Sequence, residues 1–391
     1  MSLFVKTFYI IFLLICLTGC STTKTIKQKS ILRPTTHFIQ SSFKGLDGWD
    51  VATHEKSFSA FLRSCKKIQA KKSISNTKVG ENLTEWKNVC GRATKLSATL
   101  GDINNLKGSK LREGRWLIKL FFQQNFIPYK VGMSNHGHNL TFNSRFTGYY
   151  EIELQGSMKK HKDFQHPIHK PPVNLRQAKG SHHLKRSSIN KGSLHQHRLE
   201  IAWVNDMPRL YFMHIQGTGV VKLKEGGEIS LVSSGSNGFS FKALPSEYLG
   251  SALNIMNKLR KNGKKGHEDM DKNDSYMFFQ PRKEIHAVGA QNVMLTPEYS
   301  AAIDSAIYPY GVPIWVEIKM PYIKGYTKGE SYKRLFIGQD RGGVIKGGGR
   351  VDLFFGRSKR AENVASNLHA FGNMYVLFPK KLSIPSIFDT R

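Results

Sequence analysis

The sequence predicts a mainly β protein with helices near its N-terminus, an α+β arrangement that holds more than one β-rich body. Three observations carry this expectation. Apolar residues recur at helical spacing chiefly between residues 58 and 125, whereas short β-branched or aromatic runs bounded by glycines dominate from residue 146 onward. Near the C-terminus two such runs, 333–337 and 351–355, flank a glycine-rich connection with a carboxylate at either end, Asp340 and Asp352. With 391 residues, 39% of them hydrophobic and including 24 Phe and 14 Tyr, the chain has enough bulky material for two cores.

The start of the chain sets the compartment. Lys6 precedes an apolar run, 8–17, too short to span a bilayer, and Leu17-Thr18-Gly19-Cys20 closes it. Residues 1–19 read as a signal peptide, and the closing motif resembles a bacterial lipobox in which Cys20 becomes the acylated first residue. Ser21 after it, in place of Asp, looks like the sorting pattern for the outer membrane. Residues 20–45, rich in Ser, Thr and Lys, read as a tether. The formal charge is +31, and loss of residues 1–19 removes one Lys and no acid. Such a balance attracts polyanions. An exported lipoprotein does not meet nucleic acid, so an anionic wall polymer or lipid surface suits the charge better.

Residues 46–150 form the helical N-terminal part. Phe58, Phe61, Leu62, Cys65 and Ile68 lie at helical spacing, as do Trp86, Val89, Cys90, Ala93 and Leu96. Each apolar face carries one cysteine. In an oxidising compartment Cys65 and Cys90 make a disulfide, the alternative being two buried thiols. A third helix over 113–125 carries Trp116, Leu117, Leu120 and Phe121 as core residues. Cys-x-x-Cys and zinc spacings are absent, so no metal is indicated.

Phe146-Thr147-Gly148-Tyr149-Tyr150-Glu151 begins the β-rich part. Adjacent tyrosines on a strand face opposite ways, so one packs while the other offers a ring and a hydroxyl to solvent or to a sugar, unless both simply pack in a hairpin. The stretch 159–198 is basic and holds seven histidines, among them His161, His166, His169, His182, His183, His195 and His197; without a supporting carboxylate or helical spacing it reads as a solvated loop. Residues 201–204 and 210–221 read as strands, with Gln216-Gly217 in a hairpin turn or facing a groove, where an amide offers a donor and an acceptor. Ser246 starts a helix through Leu249, Leu253, Met256 and Leu259. Asp269 to Asp274 lacks the Gly and Glu of an EF-hand loop, and phosphate loops and nucleophile elbows are missing.

Around Asp340 and Asp352 the choice is between turn-forming acids paired with Arg341 and Arg350, and a carboxyl desolvated by Leu353, Phe354 and Phe355. Asp304 adds a third acid after a strand-like run. In this spacing Asp304, Asp340 and Asp352, together with Leu46-Asp47-Gly48-Trp49, Thr147-Gly148-Tyr149-Tyr150-Glu151, Gln216-Gly217-Thr218-Gly219, Asn237-Gly238 and Leu295-Thr296-Pro297-Glu298, resemble the membrane-bound lytic murein transglycosylase A family over roughly 46–380. Ile152 replaces that family's proline, and its acidic and arginine motif near 159–198 is missing.

The resemblance implies a double-psi β-barrel made from both ends of the chain, 46–150 and 286–391, with a second β-barrel inserted over 151–285 and a groove between them for a glycan strand. It implies non-hydrolytic cleavage of the β-1,4 bond between N-acetylmuramic acid and N-acetylglucosamine, without a cofactor. It makes Asp352 the acid and base, Asp340 its neighbour, Asp304 a supporting residue, and Thr147, Tyr149, Gln216, Gly217, Gly342 and Gly343 groove residues. Outer-membrane lipid, through acylated Cys20, and proteins of wall synthesis or division are further candidate partners. A wall-binding lipoprotein without activity and a hydrolase on the same fold are the alternatives.

Overall fold

The computed structural model describes residues 35–73, 77–134, 139–172, 184–283 and 286–389. The signal peptide, Cys20 and residues 20–34 of the tether lie outside the described residues, as do His182 and His183. From the N-terminus come β1 (Thr35–Gln40), α1 (Glu55–Ala70), α2 (Leu83–Leu100), α3 (Gly108–Asn125), β2 (Phe126–Ser134) and β3 (Ser144–Tyr149). Next are β4 (Ile152–Ser157), β5 (His166–His169), α4 (Arg186–Asn190), β6 (Glu200–Val204), α5 (Met207–Gln216), β7 (Thr218–Leu223), β8 (Glu228–Ser236), α6 (Ala252–Lys261), α7 (Gly263–Asp271) and β9 (Met277–Arg282). The chain closes with β10 (Ser300–Ala302), β11 (Pro313–Lys319), β12 (Ser331–Asp340), β13 (Arg350–Phe354), α8 (Lys359–Asn367), β14 (His369–Pro379) and β15 (Ile387–Phe388).

The first sheet has the order β11-β12-β10-β13-β3-β14-β2-β1-β15, and an extra antiparallel pairing of β11 with β14 closes the strands from β11 to β14 into a ring. β3 lies parallel to β13 and antiparallel to β14, so the ring needs chain from both sides of the intervening residues. Those residues, 152–282, form the second sheet, β5-β6-β4-β7-β8-β9, against which α5 packs. The protein is therefore mixed in class and largely β, with a barrel-like sheet.

The N-terminal helices cover the ring. Phe58, Phe61, Cys65 and Ile68 of α1 are buried. Phe58 and Phe61 meet Phe121, Phe122 and Phe126 in mostly edge-on ring contacts. Asn82 starts α2 by accepting the Glu85 N–H at 3.1 Å. A disulfide joins Cys65 of α1 to Cys90 of α2, with 5.1 Å between their Cα atoms.

Four sequence expectations need correction. Residues 207–216 are helix, not strand: Asp206 caps them by accepting the Arg209 N–H at 3.0 Å, Pro208 opens the first turn, and Gly217 ends them at φ 79°. Leu210, Tyr211, Met213 and His214 are buried there, but the less buried side also carries apolar residues, Phe212 and the 46% exposed Ile215, so the run shows no clear polar period from which to tell helix from strand. The next helix is capped by Ser251, not Ser246, and Leu249 is exposed. Trp116 is 56% exposed, because α3 buries the face bearing Gly114, Ile118, Phe121 and Phe122 instead.

Lastly, the basic stretch is not merely solvated. His169, Arg186, Ile189 and Leu194 are buried. Arg186 donates to the carbonyls of Asn273, at 3.1 Å, and Ser275, meets His214 Nδ1 at 2.9 Å, and stacks on Tyr211 and Tyr276. A buried guanidinium met by carbonyls and ring faces anchors α4 to the second body.

Burial also makes histidines sensitive to acid. It lowers His54 and His169 to about 4 and His214 well below the ordinary value. Between about pH 6.5 and 4 the unfolded chain binds protons that the native state refuses, so stability falls as pH falls, by about 1.4 kcal/mol per unit for each group. Denaturant midpoints measured at pH 7 and pH 5 should drop accordingly; equal midpoints would contradict the burial.

Candidate active site

The connection between β12 and β13 brings the acids together. β10 runs between these strands, with Ala302 opposite Asp340 on one side and opposite Asp352 on the other. A methyl group between two carboxylates offers them no hydrogen bond. Thr147 of β3 stands opposite Asp352, and Tyr149 opposite Phe354. Alternation puts Thr147, Tyr149, Asp352 and Phe354 on one face of the ring.

The two acids are held differently. Asp340 accepts three hydrogen bonds, from the backbone N–H of Ala290 (2.9 Å) and Arg341 (2.8 Å) and from the Tyr149 hydroxyl (3.0 Å). Asp352 accepts one, at Oδ1, from the Thr147 hydroxyl. Its Oδ2 has no hydrogen-bond partner among the described residues. Thr147 in turn accepts from Arg350 Nη2 at 2.8 Å, while Arg350 Nη1 donates to the Val351 carbonyl at 2.7 Å. Among the described residues no arginine forms an ion pair with either acid, so arginine pairing does not describe them, although the Ala290 and Arg341 N–H bonds of Asp340 are those of a turn-capping acid.

Electrostatics follow from that geometry. Burial pushes the Asp352 carboxyl up, against the Thr147 hydrogen bond and the Arg350 charge, and nearby Asp340 adds to the rise. Burial raises Asp340 too, against its N–H donors and Tyr149. The Tyr149 hydroxyl rises well above its usual value, first by burial and then by the charges of Asp340 and Asp352. Its ring packs on Phe354, with centroids 5.1 Å apart, beside Ala287 and Leu295.

Asp304 serves the scaffold. It is 1% exposed; Oδ2 accepts the Gly347 N–H at 2.8 Å and Oδ1 the Ala306 N–H at 3.1 Å. This ties the glycine-rich connection to the start of the 304–308 turn. At Gly348 a Cβ would lie 2.2 Å from the Thr36 side chain. The close approach to β1, β2 and β3 thus falls at Gly348 and Gly349, whereas Gly342, where a Cβ would meet only the Ile345 side chain, is partly exposed and Gly343 exposed on the preceding turn. Gly148 fills a similar need in β3, since a Cβ there would lie 2.7 Å from the Ala365 backbone of α8.

A cleft of about 550 Å³ lies where the C-terminal ends of α5 and α8 meet the start of α6. Thr147, Gly148, Gln216, Asn254, Ser366 and His369 are among its lining. Gln216 Oε1 and Ser366 Oγ are buried with no partner among the described residues, which suits a wall awaiting a polar ligand. Gly217 is the cap that turns the chain after Gln216. Asp340, Asp352, Thr147 and Tyr149 therefore form one constellation, with Gln216 across the cleft that Thr147 borders.

Sequence reasoning missed Gln339, the bond from Arg350 to Thr147, Ser366 and His369. Gln339, fully buried, donates to the Ala60 carbonyl and Ser64 Oγ, both at 2.8 Å, and accepts from Ser300 Oγ at 2.6 Å, fastening β12 to α1 beside Asp340. A glutamine next to a candidate acid in an apolar strand was the available signal. The other three carried none.

Comparison with known proteins agrees with this architecture. Residues 145–280 match a family model described as the MltA specific insert domain, and residues 299–378 one described as the 3D domain. The chain is 27% identical over 257 residues, 63% of this chain and 67% of the relative, to membrane-bound lytic murein transglycosylase A of Escherichia coli strain K12. Its fold is similar to a crystal structure of MltA from Neisseria gonorrhoeae (TM-score 0.70, 23% identity, 91% of this chain and 97% of that one). It is also similar to E. coli MltA with bound chitohexaose (TM-score 0.62, 20% identity, 88% and 94%).

Proposed function

The chain belongs to the membrane-bound lytic murein transglycosylase A family, and from that premise we propose that its lytic action on peptidoglycan runs through Asp352 as a single acid and base. The observation that carries the assignment is the unequal solvation of the two acids: Asp340 holds three donors, while Asp352 holds one and keeps Oδ2 free. Three donors favour the ionised form of Asp340 against the burial that raises it and occupy its oxygens; a desolvated carboxyl with one donor is the better proton carrier.

In the first step protonated Asp352 gives its proton to the oxygen of the β-1,4 bond after N-acetylmuramic acid, and the C1–O bond breaks. Two carboxylates would be needed if water or an enzyme group attacked. Here the sugar's own 6-hydroxyl closes on C1 and Asp352, now ionised, takes the hydroxyl proton. The products are the released chain and a 1,6-anhydro ring, and no water is consumed. The hydroxyl is already attached to the reacting sugar, which removes most of the entropic cost of bringing a nucleophile.

Thr147 orients Asp352, with Arg350 fixing the direction in which the hydroxyl points. Tyr149 holds Asp340 in place. The orphaned Gln216 amide oxygen suits an N-acetyl N–H or a sugar hydroxyl. Gly342 and Gly343 stand as contacts at the rim, Gly217 as the hinge that sets Gln216. A relative's structure with bound chitohexaose supports a glycan strand in the cleft. Cys20, acylated, would attach the protein to outer-membrane lipid with the cleft in the periplasm, where proteins of wall synthesis or division are candidate partners.

Mass spectrometry of digested sacculi tests the reaction. The soluble products should carry anhydro-muramoyl ends. Reducing ends, heavier by one water, would make the protein a hydrolase, and binding without products would make it a wall-binding lipoprotein.

A further inference from the structure

The face of the ring that carries Asp352 continues past Thr147 and Arg350 into Arg145, His369 and Phe371, which the proposed reaction does not use. Arg350 stands opposite Arg145, and Arg145 opposite Phe371; one step along, Thr147 stands opposite His369. Arg145 and His369 are exposed, Phe371 is 49% exposed, and the His369 and Phe371 rings meet at 90° with centroids 5.2 Å apart. This row borders the proposed acid on the side of β14.

Its charge is unbalanced. Among the described residues neither Arg145 nor Arg350 forms an ion pair with a carboxylate. Burial and the Arg145 charge press Arg350 below its ordinary value, and Asp352 only partly offsets them. The exposed Arg145 guanidinium is a forked donor suited to a carboxylate, and Arg350 behind it, whose Nη atoms already donate to Thr147 and the Val351 carbonyl, adds positive charge. An exposed ring beside them adds an apolar surface.

The substrate supplies a matching anion. The sugar that must close on itself beside Asp352 is a muramoyl residue, whose lactyl arm carries the peptide stem, and the stem bears free carboxylates. We infer that Arg145, backed by Arg350 and flanked by Phe371, receives a stem carboxylate, so that the protein discriminates stem-bearing glycan from bare glycan. This assignment rests on the lytic transglycosylase reading of the cleft, and it makes Arg145 a specificity residue rather than a catalytic one.

Affinity measurements on the Asp352→Asn protein test it without turnover. Soluble stem-bearing glycan oligomers are titrated in parallel with the same oligomers stripped of stems by an amidase, at physiological salt. The stem-bearing form should bind at least about fivefold tighter, the scale of one partly exposed charge pair. Arg145→Gln added to that background should bring the ratio close to one, and Arg145→Lys should keep part of it, which a folding defect would not do. A ratio of one before the substitution, a ratio unchanged by Arg145→Gln, or an equal loss for both ligands would overturn the inference. Failure of the reaction itself would instead appear as missing anhydro ends in the wild-type digest, whatever the affinity ratio.

Discussion

Asp352→Asn is expected to abolish release of anhydro-muropeptides, lowering the rate by at least about a thousandfold, the range associated with loss of a positioned acid and base. The amide has the same shape and still accepts the Thr147 hydroxyl, but it neither gives nor takes the proton. Because burial disfavours the Asp352 charge, the neutral variant should match or exceed wild-type stability. Asp340→Asn should behave otherwise: its three donors lose a charged acceptor, so stability drops with activity. Initial rates on sacculi, paired with denaturant unfolding, separate the two. An Asp352→Asn protein that digests at the wild-type rate would remove Asp352 from the mechanism.

Asp304→Ala should have the largest effect on stability. It leaves the buried Gly347 N–H without an acceptor, at a cost of about 1–3 kcal/mol, and releases the exposed Ala306 N–H to water at little further cost. It also frees the connection whose far end carries Asp352, so activity should fall even at temperatures where the variant is folded. Asp304→Asn keeps one acceptor oxygen and should lose roughly half as much. Unfolding by urea, with activity measured well below the midpoint, distinguishes these outcomes; wild-type stability for the alanine variant would show that the connection is held by other contacts.

How much was legible beforehand depended on whether the information was local. Helices α1 and α2 could be read because one face of each is apolar and the other polar, and the strands around Asp340 and Asp352 because glycines bound them. Residues 207–216 could not, since Phe212 and the exposed Ile215 put apolar residues on the side facing away from buried Leu210, Tyr211, Met213 and His214, which blurs the polar stripe. Trp116 misled because composition says nothing about which face of α3 meets α1. The basic stretch hid Arg186, whose partners, the carbonyls of Asn273 and Ser275, are some ninety positions away.

The sequence by itself determined the chemical inventory: three aspartates in order, a Thr-Gly-Tyr-Tyr strand, a Gln-Gly turn, and a chain start suited to export. What distinguishes Asp340 from Asp352, and so favours Asp352 in the proposed mechanism, is visible only in the tertiary structure. Hydrogen-bond donors for a carboxylate come from distant segments, here the backbone at residue 290 and the hydroxyls of Tyr149 and Thr147. The desolvation that raises a pKa belongs to the packed surroundings and not to neighbours in sequence.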